Sequence, residues 1–227
     1  MFSVIFEVHP RPDRSDEYFA TASHLKPLLQ KIDGFVDNER FRSLRRPGWF
    51  LSHSTWRDEK SVVRWRSTGE HHLAQARGRT EVFSDYHLRV GQVVFDDHRS
   101  QNARLQQQRF DTTEIGHATL VSLIEMQLDP KAAYINQPDL IAAHVGLSKP
   151  PAGMVDYDVF TSITTEGKIA CLISWATEPA AVGRKSEPSL PIIESRERRV
   201  RVLRDYGMFD RREAPQFFPP HEKTVSP

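Results

Sequence analysis

Two segments of the chain are near copies of each other: FLSHSTWRDEKSVV, residues 50–63, and IACLISWATEPAAV, residues 169–182. Each reads as a short strand that ends on tryptophan and runs directly into a segment that begins like a helix. An extended segment precedes each copy, and another strand-like segment follows it later in the chain. A pattern that recurs at a fixed period indicates repeated structure. The sequence therefore predicts one module of roughly 115 residues present twice.

Hydrophobic periodicity extends the repeat into a module with the order β-α-β-β-α-β. The first copy predicts strands at 2–8, 35–43, 50–56 and 86–95, a helix that begins at Ser15 and stops at Gly34, and a second helical region from Asp58 to about 83. The second copy predicts strands at 118–128, 155–163, 169–175 and 198–209 and a short helix near 138–146. Segment 187–198, with two prolines, replaces its second helix. This order predicts an α+β fold of tandem ferredoxin-like modules, each an antiparallel sheet with helices on one face.

The module boundaries follow from the same pattern. We expect a first module over residues 1–95, a polar linker over 96–113, a second and more divergent module over 114–212, and an extended, proline-rich tail over 213–227.

Composition excludes several classes of function. The chain carries 31 Lys and Arg against 30 Asp and Glu, so its net charge of +1 predicts neither a nucleic-acid nor a membrane partner. Basic runs at 42–47 and 196–204 are expected to be solvated strand edges. The single cysteine, Cys171, reads as a small buried hydrophobe and favours a reducing, cytoplasmic location. Phosphate-binding glycine loops, nucleophile elbows and paired-cysteine metal motifs do not occur in the sequence.

A four-stranded sheet with helices on one side leaves its other face to be covered. Two such modules can bring these faces together in a barrel, and a barrel cavity is where a small apolar ligand is expected to bind. Period-two alternation separates His53 from Ser52 and Ser54, but does not decide which set faces the cavity. The set with His53 is the more typical of a pocket, because a polar group on an apolar face needs a partner. Leu172 is the counterpart of His53 in the second copy.

Residues 2–95 resemble the antibiotic biosynthesis monooxygenase family, most closely through LKPLLQKIDGFVDNERF, FLSHSTWRDEKSVVRWR and WRSTGEHHLAQARGRTEVFSDYHLRVGQV. The second half resembles it more faintly, through VSLIEMQ, LISWATEPAA and RRVRVLRDYGMF. The resemblance implies a dimeric α+β barrel, formed here by the two halves of one chain, with further pairing into a homodimer left open. It also implies oxygenation of a small aromatic, polyketide-like ligand without metal, flavin or any other cofactor.

Such a reaction needs a base and hydrogen-bond donors in a dry pocket. We expect His53 and Arg89 to be catalytic, although an ion pair between Arg89 and a neighbouring carboxylate is the alternative for Arg89. Trp65, Tyr86 and Leu172 are the expected substrate-binding residues, with core packing as the alternative for Trp65. Adjacent His71 and His72 point about 100° apart on a helix, so we expect surface positions and no metal site.

Two alternatives stay open at this point. The lack of a convincing acid–base constellation also fits a barrel that binds a small ligand without catalysis. Haem binding or degradation is the third hypothesis. Haem-degrading relatives have a first-strand asparagine and a helical histidine where this chain has Glu7 or His9 and Gln75.

Overall fold

A computed structural model describes residues 1–98, 116–131, 135–177 and 190–209. Within them the strands are β1 (Phe2–Pro10), β2 (Phe35–Ser43), β3 (Phe50–Trp56), β4 (Phe83–Asp96), β5 (Leu120–Leu128), β6 (Met154–Ser162), β7 (Lys168–Trp175) and β8 (Ile192–Gly207). The helices are α1 (Ser15–Leu29), α2 (Glu59–Arg66), α3 (Gly69–Arg77) and α4 (Pro138–His144), and a π-helical turn spans Gly78–Val82.

All eight strands form one closed barrel in the order β1-β3-β2-β6-β7-β5-β8-β4. Each half contributes the same arrangement, since β4-β1-β3-β2 and β8-β5-β7-β6 match strand for strand. The halves meet along a short seam between β2 and β6 and a long seam between β4 and β8. This order confirms the predicted tandem ferredoxin-like modules and their closure into an α+β barrel.

The first hairpin forms where turn chemistry and alternation agree. Strands β2 and β3 have the predicted bounds, and Gly48 between them has a φ of +80°, which glycine adopts without strain. Helix α1 begins at Ser15 as predicted, continues through Pro27 and ends at Leu29.

Helix α2 is anchored at its first turn. Asp58 is the N-cap and accepts hydrogen bonds from the Ser61 amide at 2.8 Å and the Ser61 hydroxyl at 2.7 Å. These bonds lower the pKa of Asp58 to about 2. Gly34 lies against the same serine, and a Cβ there would lie 2.0 Å from the Ser61 Oγ. The capped turn thus packs directly on the turn that precedes β2.

Side chains fill the interior of the barrel. Alternate residues of every strand point inward, and their apolar members form one buried cluster: Ile5, Phe41, Leu51, Val93, Val121, Leu123, Phe160, Ala170, Leu172, Val200 and Val202. Charged residues continue this layer and cross between the halves. Arg46 binds Glu7 at 2.5 Å and Asp158 at 2.7 Å, and Lys168 binds Glu39 at 2.7 Å. The interior is therefore a packed core, and the cavity that we expected inside the barrel lies elsewhere.

Two other expectations meet a different outcome, and one stays untested. Strand β8 begins at Ile192, six residues before the predicted start, because the second proline, Pro191, lies just outside the strand. The basic run at 196–204 is not at an edge, since β8 pairs with both β4 and β5, and Arg198 is buried against Glu125. Residues 99–113 of the expected linker and the whole expected tail, 213–227, lie outside the described residues.

Candidate functional site

A cavity of about 230 Å³ lies in the first half of the chain, between the sheet and its helices. The floor is the outer face of β1 to β4, and the roof is α1, α2 and α3. Tyr206 of β8 is the only lining residue that the second half contributes within the described part of the chain. The cavity thus lies on the opposite face of the sheet from the barrel interior.

The sheet provides an apolar half of the floor. Val4 and Phe6 of β1 and Leu88 and Val90 of β4 point into the cavity from adjacent strands. At one end the rings of Phe6, Tyr86 and Phe83 meet with centroids 5.6–6.3 Å apart. Aromatic and aliphatic walls of this kind bind ligands by burying their apolar surface.

The other half of the floor is a strip of hydrogen-bond donors on β2 and β3. The Ser52 hydroxyl accepts from Asn38 Nδ2 at 3.1 Å, and the Ser54 hydroxyl accepts from Trp56 Nε1 at 2.9 Å. Neither hydroxyl donates to any described residue, so each keeps its proton for a ligand.

Arg40 and Tyr18 add two unsatisfied donors beside this strip. Arg40 is the direct cross-strand neighbour of Ser52, and Tyr18 comes from the first turn of α1. The Arg40 Nε and the Tyr18 hydroxyl are both buried and make no hydrogen bond of normal geometry within the described residues, although the two side chains lie close enough to interact with each other. Burial raises the pKa of Tyr18 against the opposing charge of Arg40, which keeps the phenol protonated. A buried donor left unpaired is costly, so both groups are suited to an acceptor that arrives with a ligand.

The charged residues that line the cavity are all basic. Lys26, Arg40, Arg66 and Arg79 line it, whereas no aspartate or glutamate does so among the described residues. The Arg79 guanidinium donates to the Tyr86 hydroxyl at the aromatic end. In a site of low dielectric this imbalance favours an anionic ligand.

His71 and Trp65 form a stacked pair on the roof. Their ring centroids lie 4.1 Å apart with an interplanar angle of 15°, and His71 Nδ1 lies 3.0 Å from the Trp65 carbonyl oxygen. Burial is the main cause that lowers the pKa of His71 to about 4, so the ring is neutral at pH 7. His72, by contrast, is exposed. The expected surface position therefore holds for His72, whereas His71 lines the cavity.

The structure divides the five predicted site residues between two places. Trp65 and Tyr86 both line the cavity. His53, Arg89 and Leu172 lie in the barrel interior on the other side of the sheet, and all three are at most 3% exposed. The alternation rule grouped each strand correctly, but the hollow face is the one opposite His53.

Each polar member of the interior set has protein partners. His53 Nε2 lies 2.7 Å from the Ser3 hydroxyl, and burial together with the charge of Arg198 lowers the pKa of His53 well below 6.5. Arg89 binds Glu7 at 2.5 Å and donates to Ser174 at 2.7 Å. Arg89 thus pairs with a carboxylate, as the alternative for this residue predicted. Neither the His53 nor the Arg89 side chain reaches the cavity.

The residues that sequence reasoning missed are Arg40, Ser52, Ser54, Tyr18 and His71. A signal for the strip was present in the repeat. When the two tryptophan-ended strands are aligned in sequence, Ser52 corresponds to Cys171 and Ser54 to Ile173. The first copy is therefore polar at two positions where the second is apolar. Polar residues on a helix-covered face need partners or a ligand.

Within the described residues, no group of His, Cys, Asp and Glu is arranged to hold a metal ion, and no helix is long and apolar enough to span a membrane.

Comparison with known proteins assigns the family. The model for antibiotic biosynthesis monooxygenases matches residues 1–77, the part of the chain that supplies most of the cavity. A curated relative, jasmonate monooxygenase ABM of Pyricularia oryzae, is 44% identical over 225 residues, which cover 97% of this chain and 99% of the relative. The chain belongs to the antibiotic biosynthesis monooxygenase family. Membership supports monooxygenation as its class of activity.

Solved structures give weaker likenesses. A protein from Lactobacillus acidophilus covers 90% of this chain and 94% of its own length at 10% identity and a TM-score of 0.38. A structure described as an antibiotic biosynthesis monooxygenase covers 41% of this chain and 99% of its own length at 16% identity and a TM-score of 0.38. At these values neither likeness carries a conclusion about the reaction.

Proposed function

We propose that this family member is a monooxygenase that acts on a small, largely apolar carboxylate in the cavity between helices and sheet. The observation that carries the proposal is the pairing of apolar walls with lining charges that are only basic, Arg40 foremost. The volume of about 230 Å³ lies below the range of roughly 300–1,000 Å³ of drug-sized ligand sites. A compact ligand, smaller than haem, suits it best.

The donor strip supports an orientation for this ligand. An anionic head group at Arg40, Tyr18 and Ser52 would satisfy donors that the described protein leaves unpaired. Hydrogen bonds to a charged group contribute about 1.5–3 kcal/mol each when buried. The apolar body would then lie along Phe6 and Leu88. This placement buries hydrocarbon on the apolar half of the floor and charge on the polar half.

The name of the 44% identical relative sharpens the substrate class. Jasmonate is a carboxylate attached to a cyclopentanone with an alkenyl chain, so it combines the anion, the carbonyl acceptor and the apolar body that the cavity accommodates. We therefore propose jasmonate-like oxo carboxylates as substrates ahead of the aromatic, polyketide-like phenols that the family resemblance implied. Both classes contain acidic C–H or O–H groups that can give an electron-rich anion.

Electron balance separates two forms of the reaction. When O₂ converts a CH₂ group into a carbonyl and water, the substrate supplies all the electrons, and no cofactor is required. Hydroxylation of one C–H bond with release of water requires two further electrons from a donor. We propose the first form for substrates with an acidic CH₂ group, with the carboxylate at Arg40 and the enolate stabilised by the Ser54 hydroxyl.

The test is an oxygen-uptake assay on the metal-stripped, full-length protein. Jasmonate and anthrone are each incubated with and without NADPH and flavin, and products are analysed by mass spectrometry with ¹⁸O₂. We expect a jasmonate product that retains one labelled oxygen without added reductant. Product formed only with the reductant would replace the cofactor-free form by the hydroxylation form.

Two other outcomes would contradict monooxygenation itself. Jasmonate binding without turnover in any arm would favour the non-catalytic binding barrel. A Soret shift on titration with haem, together with no binding of either small substrate, would favour the haem hypothesis.

A further inference from the structure

We propose that His71 is the proton acceptor of this cavity and removes the acidic proton of the substrate at its Nε2 atom. The inference rests on the proposed function, because it assigns a residue to the step that forms the substrate anion. Sequence reasoning predicted a surface position for His71.

The backbone fixes which nitrogen of His71 is available. A carbonyl oxygen only accepts hydrogen bonds, so the 3.0 Å contact with the Trp65 carbonyl requires Nδ1 to carry the proton. In the neutral ring Nε2 then has a lone pair. Nε2 has no hydrogen-bond partner in the part of the chain that the structure describes, and it is accessible to solvent. The acceptor is thus open at a residue that lines the cavity.

Stacking holds the ring in this orientation. Trp65 lies parallel to His71 at 4.1 Å, and it is the same residue whose carbonyl binds Nδ1. One residue therefore restricts both the tilt and the tautomer of the imidazole. Such a pairing of base and orienting group is typical of general-base sites.

Other described lining groups are poorly suited to accept a proton at neutral pH. No carboxylate lines the cavity among the described residues, and the ammonium and guanidinium groups there are hydrogen-bond donors only. Tyr18 is also protonated, because burial raises the pKa of its hydroxyl. His71 is the one histidine among the described lining residues, and burial keeps it neutral and able to accept a proton, while the same burial makes it a weaker base than free imidazole.

The proton transfer balances within the cavity. The C–H bond next to the substrate carbonyl breaks, an N–H bond forms at Nε2, and the electron pair moves into the carbonyl to give an enolate. The ring becomes an imidazolium, which is costly where it is buried unless an anion forms nearby. The enolate supplies that charge, and the Ser54 hydroxyl together with the basic lining of the cavity stabilises it.

An anaerobic exchange experiment isolates this step from oxygen chemistry. Jasmonate is incubated in D₂O without O₂, and deuterium uptake next to the ring ketone is followed by NMR. We compare wild type, His71→Gln, and the matched control His72→Gln, which changes the exposed neighbour on the same helix. Loss of a general base reduces rates by about 10²–10⁴-fold, so we expect exchange to fall at least about 100-fold in His71→Gln only.

A second variant guards against a folding artefact. In His71→Ala, added imidazole can occupy the vacated space, and we expect it to restore part of the exchange. The same additive should have no effect on wild type. Jasmonate affinity, measured by calorimetry, should stay within about threefold of wild type in His71→Gln.

Three results would overturn the assignment. Exchange in His71→Gln at the wild-type rate would show that another group removes the proton. Oxygenated product without any wild-type exchange would reject His71 as the base while the proposed monooxygenase stands. Absence of jasmonate binding to wild type would reject both proposals together.

Discussion

The two halves of the chain build the same four-stranded sheet but cover it differently. In the first half three helices arch over the sheet and leave a cavity, whereas in the described second half α4 packs directly into a core. Ile141 and Ala142 of α4 are at most 2% exposed and contact this core. The difference shows that the repeat conserves the sheet, while the helix-covered face differs between a hollow and a packed form.

Three aligned positions account for much of the contrast. Ser52, Ser54 and Arg40 of the first half correspond by register to Cys171, Ile173 and Val159 of the second. The apolar set is fully buried in one cluster. The polar set cannot pack in this way without losing hydrogen bonds, so it borders empty space that a ligand can fill.

The largest expected effect comes from truncating one helix residue in each half. Ile141→Ala removes a fully buried side chain and should lower the free energy of unfolding by about 4 kcal/mol. Leu25→Ala in α1 acts beside a cavity that already exists, so we expect about 2 kcal/mol. Urea denaturation measures both values. Equal costs would contradict the contrast between a packed and a hollow helical layer.

A pH-dependent stability difference should follow from His71. Its native pKa of about 4 lies below the ordinary 6.5, so the unfolded chain binds the extra proton first as pH falls. The part of the free energy of unfolding that depends on His71 is fully present above pH 6.5. It is lost as the pH falls from 6.5 to 4, and the loss has an upper limit of about 3 kcal/mol.

The pH effect is measured as the difference between wild type and His71→Gln, because the pKa of buried His53 is also lowered and contributes in both proteins. His72→Gln serves as the control and should keep most of the wild-type slope, because the charge of His72 is the smallest of the causes that shift the pKa of His71. A His71→Gln curve parallel to wild type from pH 7 to 4 would rule out the neutral, buried imidazole.

Arg40→Met should weaken jasmonate binding by about 10- to 100-fold, because a charged hydrogen bond of about 1.5–3 kcal/mol is lost. Arg42→Met is the matched control, since Arg42 lies two residues further along β2 and is exposed. Isothermal titration calorimetry at low salt gives both affinities. Equal losses in the two variants would indicate a general charge effect and no specific site at Arg40.

The smallest effect on stability is expected from a substitution that makes a polar position of the first half apolar, as its counterpart in the second half is. Ser52→Val places an apolar side chain opposite Arg40, while Asn38 keeps its 2.8 Å bond to the His53 carbonyl. We expect unfolding free energy to change by at most about 0.5 kcal/mol and jasmonate affinity to fall several-fold. Melting and titration of the same preparation test this separation. A stability loss above about 2 kcal/mol would mean that the serine is structural.

The predicted hairpin was accurate because local rules agree there. Alternation defined β2 and β3, and Pro47 with Gly48 specified the turn between them. The start of β8 differs from the prediction because Pro188 and Pro191 indicate a break in the segment, whereas a proline can stand just before a strand. For the hairpin and for the start of β8, the accuracy of the prediction depended on a few neighbouring residues.

The candidate site was predicted less well for a different reason. Alternation groups His53 apart from Ser52, but both faces of this sheet are covered, one by helices and one by the other half of the barrel. A buried polar residue is compatible with either face. The position of the His71 side chain depends on the break between α2 and α3, because this break allows its ring to stack on Trp65.

The sequence by itself determined the repeat, the ferredoxin-like order and the family resemblance, because these depend on local periodicity and turn residues. Tertiary structure alone decided which face is hollow, that the buried Arg40 Nε and Tyr18 hydroxyl lie beside the cavity, and that His71 stacks on Trp65. The physical reason is that a cavity results from how far helices stand from a sheet. That separation is set by contacts between residues distant in sequence, which no local pattern encodes.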